Sequence, residues 1–111
     1  NKWDGQSFID AMGLSYDKDV LEIGVGTGRL AIQVVPFCSH FTGIDISPKT
    51  ANKAKSNLSQ FQNVTILCDD FLKVDFEDKQ FDVIYSSLTF MHISDKLSAI
   101  KMRRLFHYGS V

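Results

Sequence analysis

Carboxylates at the ends of three apolar stretches and a run of alternating glycines are the residues whose types and spacing could do chemistry. Glu22 stands near the end of one apolar stretch, and after Ile23 comes Gly24-Val25-Gly26-Thr27-Gly28. Asp45 closes a second stretch 17 residues past Gly28, Asp69-Asp70 closes a third, and Ser86-Ser87 ends a fourth. Glycine has no Cβ, so such a loop can take up positive φ and let a ligand approach the backbone closely. A turn of this kind opening a helix is expected to aim free N–H groups into a crevice. A carboxylate at Asp45 can accept both hydroxyls of a ribose through charge-assisted hydrogen bonds, which are stronger than neutral ones. Glycine loop and strand-end acid together fit an adenosine-containing ligand.

These residues need elements to hold them. Residues 20–23 and 40–46, Val64–Cys68 and residues 81–86 read as strands of near-continuous apolar character. Residues 4–12 can form a short helix, with Asp4 as N-cap, Phe8, Ile9 and Met12 on one face, and Gly13 to end it. A second helix is expected over 29–38 on a stripe of Leu30, Val34 and Val35, with Pro36 in its last turn. Ser47-Pro48 starts a third, with Ser at the cap and Pro where its missing N–H costs nothing. That helix places Ala51, Ala54, Leu58 and Phe61 together and leaves Lys49, Lys53 and Lys55 outside. Ser94-Asp95 caps a final helix expected to turn Leu97, Ile100 and Leu105 inward. Apolar strands alternating with amphipathic helices predict an α/β fold, a Rossmann-like doubly wound parallel sheet. Ligands in such sheets bind beyond the carboxyl ends of the strands, and all four predicted ends are polar or glycine.

The ribose grip alone would admit NAD. Three features argue against it. The glycines are spaced G-x-G-x-G, with Arg29-Leu30-Ala31 where the last glycine of the dinucleotide pattern belongs. Glu22 precedes the loop, where a diphosphate would be repelled. Asp69-Asp70 adds further negative charge, and Arg29 is the one compensating base nearby. A pocket with Glu22, Asp45 and Asp70 suits a cationic adenosine compound.

Here the chain resembles the class I S-adenosylmethionine (SAM)-dependent methyltransferases. Residues 20–28 are similar to the family's first motif, Gly43-Ile44-Asp45-Ile46-Ser47-Pro48 to the second, Asp69-Asp70-Phe71 to the third and residues 81–88 to the fourth. The spacing from Phe76 to Phe81-Asp82 follows the small-molecule members. The resemblance implies SAM as cofactor. Gly24, Gly26 and Gly28 would pack under its methionine part, and Glu22 would meet the ammonium group. Asp45 would take the ribose hydroxyls and Ile46 would lie against the adenine. Asp70 would accept from the adenine amino group, and the Phe71 N–H would bond a ring nitrogen. Ser86 and Ser87 would border the methyl group. The implied acceptor is a small molecule of unidentified structure, and no catalytic side chain is assigned.

The remaining features are weaker. At 111 residues with 44% hydrophobic and 23% charged content, the chain reads as one globular domain spanning 1–111. Net charge of −1 gives no reason to expect a nucleic-acid partner, and no run reaches the ~18–20 apolar residues of a membrane span. Cys38 and Cys68 lack metal-type spacing, so no metal site is expected and a reduced, cytoplasmic setting is. His92 and Trp3 are expected to pack, Lys101, Arg103 and Arg104 to form a solvated basic face, and His107 has no assignable role. Against the family's seven strands this chain carries the first four, so the domain is expected to be C-terminally incomplete. Either a longer enzyme or a second chain would then cover the apolar edge of the fourth strand.

Overall fold

The protein was analysed as a computed structural model that describes residues 16–86 and 96–106. Four strands, β1 (Asp19–Ile23), β2 (His40–Asp45), β3 (Val64–Cys68) and β4 (Val83–Ser86), form one sheet in the order β3-β2-β1-β4. All three pairings are parallel. Helix α1 spans Ala31–Val34 and runs into a 3-10 turn at Val35–Phe37; α2 spans Pro48–Asn57 and α3 spans Lys96–Leu105. The expected Rossmann-like sheet is present. Its order reverses at β1, so the crevice at the switch point lies beyond the carboxyl end of β1. The expected helix over 4–12, Ser87, Trp3, His92, the cap at Ser94-Asp95 and His107 lie outside the described residues.

Both faces of β1 are covered: Val20 and Glu22 are buried on one face and Leu21 and Ile23 on the other, so the strand carries no alternating solvent-facing set. Val20 joins Val25, Ala31, Val34, Val35, Phe41, Ala54 and Leu58 on one side. Leu21 and Ile23 join Ile44, Phe71, Phe81 and Leu105 on the other. Burying each large side chain contributes ~1.5–3 kcal/mol, so these two clusters set the register of the sheet.

Several boundaries differ from expectation for local reasons. The first helix of the βα unit is one turn long, because Pro36 cannot donate to a continuing helix and the chain tightens into the 3-10 turn. Its buried face is Ala31, Val34, Val35 and Cys38, with Leu30 half-buried. Helix α2 begins as expected, the Ser47 hydroxyl accepting from the Thr50 N–H at 3.3 Å, and Ala51 and Ala54 face the sheet. Strand β4 starts at Val83. Asp82 instead closes the amino ends of β1 and β4, its Oδ2 accepting from the Asp19 N–H and its own N–H donating to the Asp19 carbonyl, both at 2.8 Å. In α3 the expected inward stripe is corrected. Leu105 is buried, but Leu97 and Ile100 are 63% and 53% exposed, and Lys101 takes the inward position one turn before Leu105. After α3, Phe106 forms a single parallel bridge with Phe81.

Candidate functional site

The glycine loop leaves β1 with φ of +76° at Gly24, +62° at Gly26 and +91° at Gly28. Its amides turn inward. The N–H groups of Gly24 and Val25 both donate to the Ile44 carbonyl, at 2.8 and 3.0 Å, and Gly28 N–H donates to the Val25 carbonyl at 3.2 Å. Gly26 N–H donates to Asp45 Oδ2 at 2.9 Å. Four loop amides are thus engaged within the protein, and the helix behind them is a single turn. Gly26 differs from its neighbour. A Cβ on Gly26 would meet no atom within 4 Å, whereas one on Gly28 would lie 3.3 Å from Leu58 Cδ1. Gly28 serves packing against α2, and Gly26 borders open space.

Asp45 stands over this loop at the end of β2. While Oδ2 holds Gly26, Oδ1 accepts from the Ser47 N–H at 3.1 Å, so one carboxylate ties the glycine loop to the start of α2. An ionised carboxylate has about four acceptor sites, which leaves capacity for ligand hydroxyls. Ile46, next along, is 69% exposed, a large apolar side chain presented to solvent beside the acid. Glu22 lies deeper, at 1% exposure. It is level with Tyr85 in the β1–β4 register, and the Tyr85 hydroxyl donates to Glu22 Oε1 at 3.0 Å. Burial first, and then the Glu22 carboxylate, push the Tyr85 phenol well above its ordinary range, so it stays a donor.

At the end of β3, Asp69 N–H donates to the Asp45 carbonyl at 3.0 Å, which brings the second and third strand ends together. Asp70 caps its own turn: Oδ1 accepts from Leu72 N–H at 2.9 Å, and its carbonyl accepts from Lys73 and Val74. Phe71 is buried, its ring 6.1 Å from Phe76, whose ring in turn meets Phe81 edge-on at 5.7 Å. Ser86 ends β4 level with Ile23, half-buried. The residue that sequence reasoning missed is Lys101. Expected on a solvated face, it is 9% exposed and donates to the carbonyls of Phe71 and Val74 at 2.6 and 2.5 Å. Its four-residue spacing from Leu105 was the available signal. A cleft of about 290 Å³ between residues 74–80 and α3 includes Lys101 and Arg104 but none of the strand-end residues. Among the described residues no group of three or more His, Cys, Asp or Glu could hold a metal, and no helix is long and apolar enough to cross a membrane.

The match to known proteins follows this geometry. The family model described as a methyltransferase domain matches residues 20–107, from the start of β1 to past α3. The chain belongs to the methyltransferase-domain family. This domain is 32% identical over 84 residues to a demethylmenaquinone methyltransferase of Tropheryma whipplei, covering 76% of the chain and 35% of that protein. It is 24% identical over 87 residues to an rRNA adenine N-6-methyltransferase of Limosilactobacillus reuteri, covering 78% and 36%. Its fold matches phosphoethanolamine N-methyltransferase 1 of Haemonchus contortus, solved with phosphoethanolamine and S-adenosylhomocysteine. That match has a TM-score of 0.79 at 18% identity, over 93% of this chain and 23% of that one. The methyltransferase domain thus spans about a third of the length of the curated relatives it matches. Because relatives named for small molecules and for rRNA both match, the expectation of no nucleic-acid partner is not supported. A net charge near zero does not distinguish the two classes of acceptor, since the residues that bind the acceptor are not the whole surface.

Proposed function

We propose that this methyltransferase domain binds SAM at the carboxyl ends of β1, β2 and β3 and serves methyl transfer to an acceptor, either a small molecule or an RNA base. The observation that carries the reading is Asp45. It holds the glycine loop through Gly26, whose bare Cα borders open space, and it presents its remaining acceptor capacity beside exposed Ile46. Asp45 would take the ribose hydroxyls, Ile46 would cover one face of the adenine, and Asp70 with the Phe71 N–H would meet its edge. Gly24 and Gly26 would border the methionine part and Ser86 and Ser87 the methyl end. Glu22, buried beneath the loop with Tyr85 as its donor, would act on the ammonium group through the negative charge it fixes there. When bound, SAM supplies a methyl already activated by its sulfonium, so the protein contributes positioning and exclusion of water. A general base is needed only where the acceptor must first lose a proton.

Calorimetric titration of the protein with SAM, S-adenosylhomocysteine and NAD tests this. Uptake of SAM and S-adenosylhomocysteine with NAD ignored is the expected result. Binding of NAD alone would overturn it, and SAM binding with no transfer to any acceptor would leave a binding module.

A further inference from the structure

We propose that Lys101 is a positioning residue for the adenine end of the cofactor site: from α3 it fastens the turn after β3 that carries Asp70 and Phe71. The inference rests on the reading above that this turn meets the adenine.

The turn is held from two sides. From within, Asp70 accepts from Leu72, Lys73 and Val74. From outside, the Lys101 ammonium donates to the carbonyls of Phe71 and Val74, 30 and 27 residues away in sequence. A turn that no further turn follows leaves its carbonyls without helical donors, and an ammonium with three N–H groups can satisfy two of them. The same ammonium lies 5.1 Å from the Phe71 ring centroid and 5.3 Å from that of Phe76. Ring faces attract a desolvated cation, so the two aromatic side chains are fixed along with the backbone. Burial, and then Arg104 on α3, lower the proton affinity of Lys101, while Asp75, Asp70 and Asp69 favour the charge. An apolar side chain of equal length would fill the space and leave both carbonyls without this donor, so packing alone does not account for a lysine here. Through this contact α3, which supplies no strand-end residue, is coupled to the site.

The test compares wild type with Lys101→Met and Lys101→Gln in two measurements. Amide hydrogen exchange is read at Leu72, Lys73 and Val74 against the amides of β1 and β2, and S-adenosylhomocysteine affinity is read by calorimetry. Loss of hydrogen bonds to a charged donor should speed exchange in the turn and weaken affinity each by about tenfold in Lys101→Met, with β1 and β2 protection unchanged. Lys101→Gln, which can still donate to one carbonyl, should fall between; it carries the comparison if the Met variant does not fold. Exchange that rises equally in turn and strands, or not at all, overturns the proposal, as does unchanged affinity with a loosened turn. A wild type that takes up no S-adenosylhomocysteine sinks the cofactor reading instead, and the exchange contrast then decides whether Lys101 fastens the turn.

Discussion

At the scale of single residues, the acids at the strand ends are working parts of the backbone before any ligand arrives. Asp45→Asn puts an amide NH2 against either Gly26 or Ser47, so it should cost about 1 kcal/mol of stability, read from denaturant unfolding. It should also weaken S-adenosylhomocysteine binding by about 1.5–3 kcal/mol through loss of charge-assisted bonds to the ribose; an affinity equal to wild type would remove Asp45 from the site. Tyr85→Phe takes away a donor from buried Glu22 and should destabilise by about 1–3 kcal/mol. Among the described residues, two groups hold their protons to higher pH in the folded state. Cys38 is pushed from 9.0 up to about 11 by burial and then by Asp19, and Tyr85 is also raised. The folded state holds these protons longer than the unfolded one: the Cys38 contribution is complete below pH 9 and is lost as pH climbs toward 11, and that of Tyr85 begins to be lost only above pH 10 and continues beyond that window. Unfolding free energy should fall across that window, and less steeply in Cys38→Ala. Lys101, lowered by burial, acts in the opposite sense. Glu22, Asp45 and Asp70 could be picked out of the sequence by their place after apolar runs. The partner of Glu22 could not, because Tyr85 reaches it only through the β1–β4 register.

At the scale of elements, close approach of backbone and side chain decides where the glycine loop sits. A Cβ on Gly43 would lie 2.8 Å from Val25 Cγ2 and 3.1 Å from Ile66 Cδ1. Val25 is β-branched and buried, with little freedom to move aside. Gly43→Ala should therefore cost about 1–3 kcal/mol, seen as a lower urea midpoint with unchanged slope. Since Val25 belongs to the loop, ligand affinity should fall with it. At Pro36 local pattern and structure part: the buried face lies within a residue of the apolar stripe, but the helix is one turn long because the proline cannot donate to its continuation. The α3 stripe failed for another reason. Periodicity places residues on a face, and only the neighbour that the face meets, here the turn from Phe71 to Phe76, decides whether lysine or isoleucine points inward.

At the scale of the molecule, one ligand bridging three strand ends should stabilise the whole sheet. At a concentration 100 times its Kd, S-adenosylhomocysteine should add about 2.7 kcal/mol, read as a rise in Tm, and the same concentration should do less for Asp45→Asn. An unchanged Tm would mean that the folded protein does not take up this ligand.

The amino-acid sequence by itself determined the parallel α/β class, the four strands, the glycine loop and the acids that follow them. Apolar runs, caps and turn residues are local signals that need no knowledge of neighbours. Only the tertiary structure decided that the loop amides close inward and that Gly26, unlike Gly28, borders open space. It also decided that Glu22 is buried under Tyr85 and that a lysine from α3 holds the Asp70–Val74 turn. Each of these depends on which strand lies beside which and on the depth at which a side chain comes to rest, and distances across the fold are not written in spacing along the chain.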